Sequence, residues 1–443
     1  MRALKHIILG VLMVSLASQA QALRIQDLKT KSGLTAWFVE DHSVPVVSLV
    51  MSFQAGSTQA PKDKIALPDF LASILTEGAG DLDAKSFAER LQDKGISISV
   101  SSTPDRLFVA MRAPRRHWQE GLSLLKLMLT KPRFDPDAFE RVRQSMIQGF
   151  ENAKLTPGWK ASEALTELLY KDHPYGATVK SAADINAINV KDLDHFLRQC
   201  VATDSMIVGG CGDVSPQDLV SAVEEITKSL PVKGDYKAVA EASFPDQGET
   251  RSLATPHPQS VVLFAHPGLH VTHPDALKLY VLTYVLGGGS FHSWMMEEIR
   301  TRKGLAYDAG CGTSSYAHAA LVKGSVQSDG KTVFAAMDLI KSLVKKLKNE
   351  GISQEELDAT KSFLEGSLPL ELSSSLKIAT ALHELQVDKR PIDYLDKRAA
   401  RIQALTLKDV NAFAKSFFDP DRMITVVAGS QGPLPTPKSG DKS

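Results

Sequence analysis

One segment of this chain occurs twice. Residues 185–212 read I-N-A-I-N-V-K-D-L-D-H-F-L-R-Q-C-V-A-T-D-S-M-I-V-G-G-C-G, and residues 402–429 read I-Q-A-L-T-L-K-D-V-N-A-F-A-K-S-F-F-D-P-D-R-M-I-T-V-V-A-G. The offset is 217 at both ends (402 − 185 and 429 − 212), so the two align without a gap. Lys191/Lys408, Asp192/Asp409, Phe196/Phe413, Asp204/Asp421, Met206/Met423 and Ile207/Ile424 are identical pairs. Each copy predicts a short helix followed by a strand that ends in glycine. A looser echo joins residues 135–151 to 353–368, each opening with a helix-start cluster. A repeat on this scale makes the chain two homologous halves. The boundaries expected are 23–230 and 259–432, with a polar, Pro/Gly-containing linker over 231–258. Residues 433–443, with Leu434 their single large apolar residue, are expected to be a disordered tail.

Strand signals fall at 34–39, 46–53, 97–101 and 107–113, and again at 259–265, 306–313 and 319–327. Helical runs separate them, which predicts an α+β layer in each half without giving the strand order.

Residues 1–22 have the form of a secretory signal. Arg2 and Lys5 are followed by an apolar stretch over 7–16, then by Ala20-Gln21-Ala22, so cleavage is expected after Ala22. The apolar run is shorter than the ~20 residues of a spanning helix. A periplasmic protein without a membrane anchor is the expectation. Lysine plus arginine balances aspartate plus glutamate at 51 each, which argues against nucleic acid as a partner. Three cysteines, Cys200, Cys211 and Cys311, are too few for a disulfide scaffold and are expected to behave as small buried hydrophobes.

Residues 65–78 read I-A-L-P-D-F-L-A-S-I-L-T-E-G. Leu67, Phe70, Leu71, Ile74 and Leu75 recur at the spacing that buries one face of a helix. Asp69 and Ser73 then share another side, one turn apart. Asp69, Ser73 and Glu77 could offer oxygen to magnesium or calcium, but such sites ordinarily use more carboxylates. Ser73 as a nucleophile would need a base, and no histidine is near it in sequence.

With Ala55-Gly56-Ser57 before it and Gly78 after it, this helix resembles the active-site segment of the insulinase/pitrilysin family of inverted zincins. The likeness is to the mitochondrial-processing-peptidase-like branch, in which the helix carries H-x-x-E-H. The resemblance places Asp69 at the first histidine, Ala72 at the general-base glutamate and Ser73 at the second histidine. The family's third ligand, a glutamate on a later helix, falls at Gly149, with Glu151 two residues away on another side. Zinc hydrolysis needs two imidazoles and carboxylates that Asp, Ala, Ser and Gly do not supply. The resemblance therefore implies a degenerate zinc site, with no metal and no cofactor in this chain.

The second half keeps more of the family pattern. Residues 286–307 read L-G-G-G-S-F-H-S-W-M-M-E-E-I-R-T-R-K-G-L-A-Y, close to the family's L-G-G-G…R…G-L-a-Y. There an arginine and a tyrosine seven residues apart contact bound peptide across the chamber from zinc, and here they are Arg300 and Tyr307. From the residues alone, 294–303 reads as a helix closed by Gly304 and followed by a strand. An ordinary alternative puts Arg300 in an ion pair with Glu297 and Tyr307 in a core. His266, His270 and His273 are the nearest approach to a zinc cluster, in a loop-like stretch. His173-Pro174-Tyr175-Gly176 also matches a family motif.

The resemblance covers residues 23–429. It implies two α+β domains, each with helices on a mainly antiparallel sheet, forming half of a clamshell. The function expected is that of a non-catalytic subunit of a periplasmic heteromeric zinc metallopeptidase. Its partner would be a homologous H-x-x-E-H-bearing chain holding the zinc and the general base, and Arg300 and Tyr307 would assist on a peptide substrate. The alternatives are a peptide-binding or scaffold protein with no proteolytic role, and an independent hydrolase with a site of another kind.

Overall fold

The computed structural model describes residues 23–179 and 181–430. The expected signal peptide and the expected tail lie outside the described residues. The architecture is two α+β halves, each with one main sheet. The first sheet runs in the order Gln26–Lys29, Thr35–Glu40, Ile207–Gly212, Val46–Phe53, Leu107–Pro114, Ser97–Ser102. The second runs Ala306–Tyr316, Ala319–Asp329, Gln259–Pro267, Ile424–Gly429, Glu249–Ala254.

Setting aside the extra edge strand Gln26–Lys29, the two orders are the same. In each, the last strand of the half lies between the first and second strands, and the third strand forms the far edge. The last strands, Ile207–Gly212 and Ile424–Gly429, are the repeated segments, and their bounds differ by the same 217. Each pairs in parallel with the first strand and antiparallel with the second. Every other pairing is antiparallel. The glycine that ends each repeat is required. Gly212 and Gly429 have φ of 140° and 157°, and a Cβ would come within 2.2 Å of Val46 O in one and 1.9 Å of Ser260 Oγ in the other.

The linker expected over 231–258 is too long. Glu249–Ala254 is a strand and belongs to the second sheet. Its sequence, E-T-R-S-L-A, has one large apolar residue because it is a partly exposed edge, so it has no hydrophobic alternation to show. Residues 231–248 contain no helix or strand but are held by both halves. Lys237 N–H donates to Gln59 Oε1 at 2.7 Å, and Ala242 N–H to His318 O at 2.8 Å.

Both faces of each sheet are covered, which is why the central strand Val46–Phe53 is buried on both sides, Val47, Leu49, Met51 and Phe53 on one and Ser48, Val50 and Ser52 on the other. One face packs on helices of its own half, around Phe38, Leu49, Phe70 and Trp118 in the first and Phe264, Leu286, Ile340 and Phe418 in the second. The other face is covered by a helix from the opposite half. Ser375–Val387 lays Ile378, Ala379, Leu382 and Leu385 on Trp37, Val39, Val50 and Cys211 of the first sheet. Reciprocally, Pro157–Tyr170 lays Ala161, Leu165 and Leu169 near Ala265, Leu321, Ile424 and Val426 of the second. Gly209 permits the first contact, since a Cβ there would stand 2.3 Å from Ala379 O.

Two buried histidines are held neutral. His383, on the exchanged helix, accepts at Nε2 from Ser52 Oγ at 2.6 Å, because Arg106 Nε already donates to that oxygen at 2.6 Å. Burial, with Arg106 beside it, pushes the imidazole down to about 3. His266 donates from Nδ1 to Pro267 O at 2.9 Å and accepts at Nε2 from Asp419 N–H at 3.0 Å, and burial pushes it down to about 4. Both titrate near 6.5 once unfolded. Stability from these groups is therefore fully present above pH ~6.5 and is lost as pH falls from there toward 4 and then 3. At ~1.4 kcal/mol per pKa unit, His266 alone corresponds to ~3 kcal/mol. Urea midpoints should fall between pH 7.5 and 4.5, and fall less in a His266→Asn, His383→Asn double variant. Equal slopes in the two proteins would contradict this assignment.

Candidate functional site

The helix Leu67–Ile74 forms where the periodicity places it, with Pro68 in its first turn. Leu67, Phe70, Leu71, Ile74 and Leu75 are all buried. Phe70 stacks on Phe139 at 4.8 Å, which fixes this helix against Pro136–Ala153, the helix bearing Gly149. Asp69 and Ser73 are exposed on the same side, and Ala72 is buried. Ser73 Oγ donates to Asp69 O at 2.8 Å. The Ser102 hydroxyl donates to Asp69 Oδ1, tying the helix to the end of the edge strand Ser97–Ser102.

The remaining acids nearby are engaged elsewhere: Glu77 pairs with Arg141 and Glu151 with Lys154. Gly149 is exposed, and a Cβ on it would meet nothing within 4 Å. Among the described residues no group of three or more His, Cys, Asp or Glu side chains could hold a metal ion. The histidines at 266, 270 and 273 do not converge. His266 is buried as described above, His270 bonds Thr272 at 2.9 Å, and His273 accepts from Asp275 N–H at 3.1 Å. All three cysteines are free thiols, with Cys200 and Cys211 buried. Extensively dialysed protein is expected to hold far less than one zinc per chain and to cleave no peptide on its own. Elemental analysis and a fluorogenic peptide assay check this, and one tightly held zinc with chelator-sensitive activity would contradict it.

Arg300 and Tyr307 are brought together. The guanidinium lies over the Tyr307 ring at 5.0 Å and over Phe291 at 4.9 Å, a cation between two aromatic faces. Tyr307 is 80% exposed and Phe291 61% exposed, so the alternative of a core tyrosine fails. Arg300 does not pair with Glu297. That carboxylate takes Arg302 at 3.0 Å, and Arg302 also reaches Glu298 at 2.7 Å. Among the described residues the Arg300 guanidinium has no carboxylate partner.

Local backbone produces this exposure. The expected helix over 294–303 becomes a π-helix at Met296–Arg302, whose wider turn rotates Arg300 relative to α-helical geometry. Gly304, at φ +61°, reverses the chain, with Leu305 N–H donating to Ile299 O at 2.8 Å. Pairing between Ala306–Tyr316 and Ala319–Asp329 then slips between Ala306 and Asp308, leaving Tyr307 as a bulge outside the ladder. A second π-helix, Tyr284–Gly288, holds the start of the glycine run. A Cβ on Gly287 would stand 2.5 Å from Cys311 N, so the run permits a close approach to this strand. Phe291 went unread in the sequence, although it lies inside the L-G-G-G-S-F motif. A π-helix and a bulge leave no periodic mark by which either could have been found.

The fold defines a peptidase-like half-clamshell, with Arg300 and Tyr307 side by side and Asp69, Ala72, Ser73 and Gly149 at the positions where the resemblance expects zinc ligands and the general base. The insulinase (peptidase family M16) domain matches residues 36–182, and the peptidase M16 inactive domain matches residues 187–364. This chain belongs to the M16 family. It is 27% identical to the "Non-peptidase homolog YmxG" of Helicobacter pylori, over 93% of this chain and 95% of that protein. It superposes on the peptidase M16 inactive domain from Pseudomonas fluorescens with a TM-score of 0.86 and 25% identity, covering 93% of this chain and all of that one. The periplasmic protease PqqL from Escherichia coli shares the fold, with a TM-score of 0.79 at 14% identity, and this chain corresponds to 45% of it. No described helix is long and apolar enough to cross a membrane.

Proposed function

We propose that this chain is the non-catalytic subunit of a periplasmic two-chain zinc peptidase. A homologous H-x-x-E-H chain supplies the zinc and the general base, and this chain supplies one wall of the chamber together with Arg300 and Tyr307. One observation carries the reading. Among the described residues, a guanidinium with no carboxylate partner, flanked by two exposed rings, is presented by a bulge and a π-helix, and no group of three or more His, Cys, Asp or Glu side chains could hold a metal ion. A guanidinium and a phenol can both donate to a peptide carbonyl oxygen, and more strongly to the oxyanion formed when that carbonyl is attacked. The positions that would hold zinc and activate water carry Asp69, Ala72, Ser73 and Gly149, whereas Arg300 and Tyr307 would bind substrate and its oxyanion. This division is what a two-chain site requires.

Compartment follows from the form of residues 1–22 and agrees with the periplasmic description of PqqL. The pairing is tested by co-expressing this chain with a secreted M16 chain from the same genome that carries H-x-x-E-H. A stoichiometric complex on size exclusion, with peptide cleavage absent from either chain alone, is the expected result.

A second reading has its own support. The edge strand Ser97–Ser102 has one side unpaired, and its side chains alternate between exposed and half-buried, which suits an extended peptide adding as a further strand. Peptide capture without proteolysis would leave this chain monomeric and binding, and no partner would turn the bound peptide over.

A further inference from the structure

Where the helix Pro157–Tyr170 crosses the second sheet, the two halves leave a cavity of about 370 Å³. That is at the small end of ligand pockets, which span roughly 300–1,000 Å³. Its apolar wall is Leu165, Leu169 and Leu263. Lys323 enters from the adjacent strand Ala319–Asp329, with Nζ 3.3 Å from Tyr316 Oη and 5.1 Å from the centre of the Tyr316 ring. Among the described residues no carboxylate lies within ion-pair distance of Lys323. Asp105, beside the lining residue Tyr175, is engaged at both oxygens: Tyr175 Oη donates to one at 2.6 Å and Ala317 N–H to the other at 2.9 Å. Ser162, Thr166 and Ser325 add hydroxyls to the lining. One more polar group is unmatched, because the buried Tyr170 hydroxyl has no hydrogen-bond partner among the described residues. The site thus combines an unneutralised cation, several hydroxyl donors and an apolar wall.

From this combination we infer that the cavity binds a carboxylate with a short apolar body, the carboxylate on Lys323 and Tyr316 and the apolar part against Leu165, Leu169 and Leu263. A doubly charged phosphate suits the site less well, since a single cation faces it and half the lining is hydrocarbon. Two sources have this chemistry, a free medium-chain acid and the carboxy-terminal residue of an apolar peptide. The second connects to the exposed pair, because Gly310 lines the cavity three residues along the strand from Tyr307, about 10 Å at ~3.3 Å per residue. The inference does not depend on a zinc-bearing partner.

Calorimetric titration of the full chain with octanoate and with octanamide tests it. Octanoate should bind and octanamide should bind at least tenfold more weakly, as expected when a hydrogen-bonded charge is removed. Lys323→Met should weaken octanoate about tenfold or more while leaving the circular dichroism unchanged, and Lys323→Arg should restore most of the affinity. Competition by a leucine-ended peptide with a free carboxylate, but not by its amide, assigns the peptide end as the source. Competition by neither assigns the free acid. Equal binding of acid and amide, an unchanged Lys323→Met, or no octanoate binding to the wild-type chain would overturn the inference.

Discussion

Complexes reconstituted with Arg300→Ala or Tyr307→Phe are expected to turn over peptide ~100- to 1,000-fold more slowly than wild type, the usual loss when one oxyanion donor is removed. Assembly and the partner's zinc content should not change. Tyr307 is exposed, and Arg300 is half-buried with no ion pair among the described residues, so changing either side chain removes a group that would meet substrate and disturbs little packing. Tyr307→Phe removes the hydroxyl but keeps the ring on which the Arg300 guanidinium rests, so Tyr307→Ala, which removes both, should cost more. Phe291→Ala tests that support separately. It should lower turnover less than Arg300→Ala, since the ring touches the guanidinium and would not reach the carbonyl. Steady-state cleavage, with size exclusion and zinc analysis on the same samples, decides the matter. Unchanged turnover in both single variants would remove the catalytic role and leave peptide capture at the Ser97–Ser102 edge as the better account.

The second large effect concerns the exchange of helices between halves. Leu382→Ala should destabilise the whole chain by ~2–5 kcal/mol, the range for a fully buried leucine whose cavity does not collapse. Leu382 is completely buried between Ser375–Val387 and the first sheet, at a contact joining sequence positions more than 150 residues apart. Leu370→Ala, on a residue 70% exposed just before this helix, should change stability little and serves as the control. Urea unfolding followed by fluorescence gives both values. Because each half covers one face of the other's sheet, a single transition is expected to shift in Leu382→Ala. Separate unfolding of the halves with one midpoint unmoved would show that the exchange does not couple them.

Much of this was legible in the residues because it is local or periodic. Apolar spacing at Leu67, Phe70, Leu71, Ile74 and Leu75 was enough to orient the helix and to place Asp69 and Ser73 on its open side. The constant offset between residues 185–212 and 402–429 was enough to divide the chain, and the repeated strands occupy equivalent places in two sheets of the same order. Gly304 was read correctly as a helix stop, since a φ of +61° is a backbone state that glycine alone adopts cheaply.

What escaped was set by contacts between distant segments. The strand Glu249–Ala254 has little apolar pattern and exists because Ile424–Gly429 offers it an unpaired edge. The exchanged helices read as ordinary amphipathic segments, and only the assembled sheets decide that each covers the other half. The alternative of Arg300 with Glu297 was a fair reading of spacing on an α-helix, but the π-turn gives that carboxylate to Arg302 and turns Arg300 onto Phe291 and Tyr307. By itself, then, the sequence determined the repeat and the family pattern, because each depends on which residue stands at which position. Tertiary structure decided strand order, the helix exchange, the aromatic support of Arg300 and the cavity at Lys323, because each depends on where backbone far away in the chain comes to lie.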